Sequence, residues 1–186
     1  LFVHYTAFTF RTRGFVPTTD NLALLTDLYQ LTMAQGYFQS QHLAPATFSL
    51  FIRSYPPNRS YFVSAGLQDV LEFLEEFKID SAGIDYLRSR RMFTSDFLDF
   101  LQGLKFTGEV WAIPEGRLFF KDEPVMEITA PIVEAQIVET LIINQINFQS
   151  LIATKASRCV HAAGERSVVD FSLRRTQGID AGMKVA

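Results

Sequence analysis

Two adjacent arginines, Arg174 and Arg175, followed by Thr176, Gln177 and Gly178, carry the clearest chemistry in this chain. A guanidinium stays protonated in a protein and offers a planar fork that matches a carboxylate or phosphate through two hydrogen bonds at once. The ligand implied is an anion. Ahead of the pair runs SVVDFSL, residues 167–173, in which Val168, Val169, Phe171 and Leu173 form a nearly continuous apolar series. That series reads as a strand buried on both faces. In parallel α/β architectures ligands sit in the loops at the C-terminal ends of strands, which makes the RRTQG loop the candidate site. At a strand end Arg174 and Arg175 point to opposite faces, so one can meet a ligand while the other pairs with protein acids. The alternative is that both are structural ion-pair partners of Asp and Glu residues elsewhere.

Tyr29 is a second candidate. The pattern over residues 21–39 is helical, with Thr26 as N-cap and Leu28, Leu31, Ala34 and Phe38 on one apolar stripe. Tyr29, Met33 and Tyr37 lie four apart on the neighbouring stripe, where a tyrosine can pack its ring and still present its hydroxyl. Core packing is the ordinary role of such a residue. Lys155 and Arg158, three apart, either offer charge to a phosphate or form a solvated face. The single cysteine, Cys159, lies in RCVHAAG and reads as a small buried hydrophobe. It leaves no internal disulfide, and no Cys/His cluster has metal-ligand spacing, so no metal site is expected and a reducing, cytoplasmic setting fits.

The elements that must position these residues follow from periodicity. The chain has 186 residues, 48% hydrophobic and 20% charged, enough for a sizeable core. Its net charge of −3 gives no basic footprint for nucleic acid, and no apolar run reaches the roughly 20 residues of a membrane span. Residues 46–54 and 60–65 read as strands around a PPNRS turn, and residues 66–77 as an amphipathic helix with Glu72, Glu75 and Glu76 outward. Helices follow at 81–90 and 95–101, with Ser81 and Ser95 as caps. EVWAI, RLFF and VMEIT are short strands of an antiparallel or mixed sheet. Pro131 then opens a helical stretch to about Ala163 with Gly164 as its stop, either one helix or two broken near residues 149–150. Asn144, Gln145, Asn147 and Gln149 within it predict buried amides bonded across layers. Residues 1–19 lack acids and are faintly like a transit peptide, against the alternative of an extension or an imprecise start.

Five blocks, LLTDLYQLTMAQGYF, SAGLQDVLEFL, FTGEVWAIPEG, EAQIVETLIINQINFQSLIATKASR and DFSLRRTQG, stand in the order and near the spacing of nicotinate phosphoribosyltransferases. From about Leu24 to Val185 the chain resembles the N-terminal portion of that family of type II phosphoribosyltransferases. The resemblance implies an α+β fold: an α/β-hammerhead-like N-terminal domain over residues 21–131, then residues 132–186 as the start of an irregular α/β barrel, its long helix and first strand. Residues 1–20 fall outside the match. It implies formation of nicotinate mononucleotide from nicotinate and phosphoribosyl pyrophosphate, with Mg²⁺ and ATP hydrolysis. It implies a head-to-tail homodimer in which the DLYQ tyrosine reaches the neighbour's site. On this chain that tyrosine is Tyr29, stacking on the pyridine ring, and Arg174 meets the nicotinate carboxylate, with Arg175 and Gln177 from the same motif. The family's phosphorylated histidine belongs to a GT-x-A-H motif that is not in this sequence; His4, His42 and His161 have other contexts, and His161 suits a helix C-terminus. The chain alone is therefore expected to be inactive, with a cut-off barrel prone to association. The alternatives are transfer to nicotinamide or quinolinate, or a non-catalytic binding or dimerisation module.

Overall fold

The computed structural model describes residues 3–5, by their backbone, and residues 22–186. An antiparallel four-stranded sheet has the order β1-β4-β6-β2: β1 (Val3–Tyr5), β4 (Glu109–Ala112), β6 (Pro124–Pro131) and β2 (Pro45–Phe51). A second, two-stranded ribbon pairs β3 (Phe62–Val63) with β5 (Leu118–Phe119). The helices are α1 (Leu28–Gln39), α2 (Leu67–Glu75), α3 (Ser81–Arg90), α4 (Ser95–Gln102), α5 (Ile132–Ala163) and α6 (Ile179–Val185). The α+β class expected from the pattern is the class observed. Apart from β1, the segment read as an extension at residues 1–20 lies outside the described residues.

Alternation builds the larger sheet. In β6, Val125, Met126, Ile128 and Ala130 are buried while Glu127 and Thr129 face the other side. Their outward neighbours are hydrogen-bonded: Ser49 Oγ donates to Glu127 Oε1 at 2.9 Å, and the Thr47 and Thr129 hydroxyls lie 2.8 Å apart. The many phenylalanines fasten helices and ribbon to the core. Phe38 of α1 meets Phe97 and Phe100 of α4 at ring-centroid distances of 5.7 and 4.8 Å, and Phe62 stacks on Phe119 at 5.5 Å.

The backbone of the molecule is α5. Its 32 residues form one helix about 48 Å long, opened at Pro131 and closed at Gly164. Val133, Ile137, Val138, Leu141, Ile142 and Ile146 are buried, whereas the turns beyond Thr154 are largely exposed. The expected layer of buried amides holds for two of its four members: Gln145 and Gln149 are half-buried and bond across to Lys184 and Asp69, whereas Asn144 and Asn147 are exposed, and the fully buried polar side chains of α5 are Glu134, Gln136, Ser150 and Thr154. Two of these finish the ribbon. Val63 N–H donates to Thr154 Oγ1 at 2.9 Å, and the Ser150 hydroxyl both accepts from Ala65 N–H and donates to Ala65 C=O at 3.2 Å. Two hydroxyls one turn apart thus take the place of a neighbouring strand.

A close approach fixes Gly66 at the start of α2. Its φ is +94°, and a Cβ there would lie 2.8 Å from the Gln145 carbonyl oxygen. Neither condition admits a side chain.

The strand read at residues 167–173 is not formed. Val168, Val169, Phe171 and Leu173 are exposed, Phe171 by 75%, and Leu173–Arg175 make a single 3-10 turn leading to α6. An extended segment needs a partner for its backbone ladder, and no strand among the described residues lies beside this one. Cys159, expected to be buried, is exposed for the related reason that no described residue covers that face of the last turns of α5. The apolar stripe of α1 is also shifted: Leu31 and Ala34 are buried, Leu28 is exposed, and Gln30 is fully buried instead.

Candidate functional site

The DLYQ block folds into the first turn of α1. Asp27 stands at the N-cap position, and Gln30, three residues on, accepts from the Asp27 N–H through Oε1 at 2.8 Å. The same Oε1 accepts from Thr26 Oγ1 at 2.6 Å and from Thr140 Oγ1 of α5 at 2.7 Å. With its carbonyl oxygen so committed, the buried carboxamide turns its NH₂ to Glu139, where Nε2 donates to Oε2 at 2.8 Å. Gln136 Nε2 donates to that oxygen at 3.0 Å. The residue preceding Gln30 is Tyr29, half-exposed, whose hydroxyl lies 3.3 and 3.4 Å from the two Glu139 oxygens. Loss of solvent around the phenol, then the negative charge of Glu139, hold its pKa above the ordinary tyrosine value. The tyrosine is therefore neither a core residue nor a free one: it is an open ring face tethered at its tip.

The RRTQG block is open to solvent. Arg174, Arg175 and Gln177 are exposed, and neither guanidinium makes a hydrogen bond or ion pair with any described residue. The reading that both serve as structural ion-pair partners thus finds no acid among the described residues. Local bonds shape the loop instead: Asp170 accepts from the Ser172 N–H at 2.8 Å and its hydroxyl at 2.9 Å, and Thr176 Oγ1 donates to Leu173 C=O at 2.9 Å. No hydrogen bond joins this loop to Tyr29. Lys155 and Arg158 are likewise exposed, as is His161 in the last turn of α5.

Sequence reasoning missed the residue that docks the loop onto the body. Lys184 of α6 is mostly buried, with Nζ 2.5 Å from Gln145 Oε1, 3.3 Å from Asp69 and 3.4 Å from Asp180. Gln149 Nε2 donates to the same Asp69 oxygen at 2.7 Å. One cation thereby ties α6 to α2 and α5. The four-residue spacing of Asp180 and Lys184 was a readable signal for half of this contact. Among the described residues no three His, Cys, Asp or Glu side chains gather as a metal site, and no helix is long and apolar enough to cross a membrane.

Residues 24–147 match the family model described as the nicotinate phosphoribosyltransferase N-terminal domain. The chain belongs to the nicotinate phosphoribosyltransferase family. It is 52% identical over 164 residues to a nicotinate phosphoribosyltransferase of Mycobacterium tuberculosis, spanning 88% of this chain and 35% of that one. It is 42% identical over 165 residues to the Bacillus subtilis nicotinate phosphoribosyltransferase, spanning 88% and 34%. The structure superposes on human nicotinic acid phosphoribosyltransferase with a TM-score of 0.79 at 35% identity, over 87% of this chain and 33% of that one. A Pyrococcus furiosus nicotinate-nucleotide pyrophosphorylase, at 22% identity and a TM-score of 0.67, shares the fold. The chain spans about a third of the length of the nicotinate phosphoribosyltransferases it matches.

Proposed function

We propose that this chain is the N-terminal portion of an enzyme of NAD biosynthesis that forms nicotinate mononucleotide and pyrophosphate from nicotinate and phosphoribosyl pyrophosphate, with ATP hydrolysis. The observation that carries the reading is the match of residues 24–147 to the family's N-terminal domain. Tyr29 supplies an aromatic face for the pyridine ring, and Arg174 takes the carboxylate through a bidentate, charge-assisted pair. Arg175 and Gln177 assist from the same loop. Nicotinamide, being neutral, leaves Arg174 without a counter-charge and is discriminated against. Because Tyr29 and the RRTQG loop share no bond within one chain, a head-to-tail homodimer in which each Tyr29 serves the neighbouring loop accommodates both. Mg²⁺ belongs with the phosphate oxygens of the co-substrates, since hard cations prefer oxygen donors; no carboxylate cluster among the described residues fits it. Residues 21–131 form the N-terminal domain and residues 132–186 the beginning of the barrel, in a cytoplasmic protein. Without the phosphohistidine motif this chain by itself has no turnover.

The test is calorimetric titration of nicotinate, then nicotinamide, into this chain and into the longest polypeptide its reading frame encodes, alongside a phosphoribosyl-transfer assay. The longest polypeptide is expected to bind and convert the acid in preference to the amide. Failure of both to bind nicotinate overturns the reading.

A further inference from the structure

We propose that Glu139 is a positioning residue for nicotinate: its carboxylate, fixed by the side chains of Gln30 and Gln136, orients the ring of Tyr29. The inference rests on the nicotinate phosphoribosyltransferase reading given above. Its starting point is the fully buried Gln30. The Oε1 of that side chain is saturated by Thr26, Asp27 N–H and Thr140, which leaves its NH₂ one direction in which to point. That direction is Glu139 Oε2, which Gln136 meets from one turn earlier on α5. A carboxylate with two side-chain amides on one oxygen has little rotational freedom. The Tyr29 hydroxyl lies 3.3 Å from Oε2 and 3.4 Å from Oε1, and the free lone pairs it can donate to are those of Oε1. These last distances are long for an O–H···O bond, so the tether restrains the ring without locking it.

The chemistry suits a stacking platform. A tyrosine on the first turn of a helix, half-exposed, samples several rotamers unless its tip is held, and stacking on a flat ring requires one of them. Two carboxylates act on the phenol, Glu139 of α5 in contact with it and, more weakly, Asp27 at the N-cap of α1, and both carry charge of the same sign as nicotinate. The acid group of the substrate is therefore driven to the end of the ring remote from Glu139, the end where an arginine can receive it. Glu139 on this account does two things through Tyr29: it sets the plane of the platform and the polarity of its edge.

Glu139→Ala and Glu139→Gln are compared in the longest polypeptide the reading frame encodes, with circular dichroism and thermal midpoints as folding controls. Glu139→Ala is expected to raise the nicotinate KM about tenfold while kcat stays within about threefold, the signature of lost substrate positioning. Glu139→Gln, which keeps one acceptor and can pair with the phenol, is expected to recover most of that KM, and should Glu139→Ala fail to fold the decision passes to the Tyr29 ionisation of folded Glu139→Gln. In this chain, the phenol of Tyr29, read at 295 nm by difference from Tyr29→Phe, should ionise at lower pH in either variant. An unchanged KM in folded Glu139→Ala of an active enzyme overturns the role of Glu139 alone, as does an unchanged Tyr29 ionisation in either folded variant. Absence of turnover in the wild-type polypeptide overturns the parent reading and this role with it.

Discussion

Arg174 and Glu134 show how the surroundings of a charged residue decide what its removal does. Arg174 has no protein acid beside it among the described residues, so its charge is available to a substrate carboxylate. In an active polypeptide, Arg174→Ala should weaken transition-state binding of nicotinate by about 2–5 kcal/mol, the range for breaking a desolvated charge pair. Steady-state kinetics should place that loss mainly in KM; unchanged nicotinate kinetics would remove Arg174 from the site. Glu134 is buried at the start of α5, its carboxylate accepting from the Thr107 N–H at 2.7 Å and hydroxyl at 3.1 Å. Burial lifts its pKa above the ordinary carboxylate value, and the Thr107 bonds pull it part of the way back. Between the unfolded and folded values, the folded state holds a proton that the unfolded chain has released. That contribution to stability is fully present below the unfolded value of about 4.3 and is lost as pH rises through the higher folded value. Glu134→Gln has no proton to lose. Urea midpoints measured from pH 4 to 7 should show the difference between the two proteins moving in favour of Gln as pH rises, and parallel curves would refute the account.

At the level of the element, Gly66 is the position least open to change. Gly66→Ala adds a left-handed residue and a 2.8 Å overlap with the Gln145 carbonyl, and should cost about 2–4 kcal/mol in denaturant titration. A substitution with no measurable cost would mean that α2 and α5 separate more easily than their packing implies. Most elements were legible because their periods are clean: α3 was read at its observed limits, Ser81–Arg90, and α5 by its Pro131 and Gly164 ends. Each of the three caps falls one residue away from its expected position. Asp80, not Ser81, accepts from Gly83 N–H at 2.8 Å, and Thr94 and Asp27 stand where Ser95 and Thr26 were expected to define the ends, Thr26 erring in the other direction. Several cap-forming side chains crowd each start, and only backbone conformation chooses among them. The Gln30–Glu139 network was not legible, because no local pattern says that residues 109 apart in sequence will meet. Residues 167–173 show the opposite failure: their composition favours a strand, but a strand is a property of a pair.

For the molecule as a whole, exposed apolar residues recur along residues 160–183. Val160, Val168, Val169, Phe171, Ile179 and Met183 are each more than half exposed. A surface of this kind favours association of the chain as prepared by itself. Sedimentation velocity should show a mass that rises with concentration, and Val169→Ser with Phe171→Ser should shift it toward monomer; a monomer at all concentrations would contradict this. The rest of the chain is drawn together by α5, which touches sheet, ribbon, α1, α2 and α6 along its length. Its hydroxyls at Ser150 and Thr154 hold the amides of Val63 and Ala65, so those two protons are timed by the helix and not by any sheet. In a deuterium-exchange experiment they should open in step with the middle turns of α5, and Thr154→Val should release the Val63 proton early while leaving the β2–β6 ladder on its own clock. The ribbon would then read out, in real time, whether the long helix is intact at its centre.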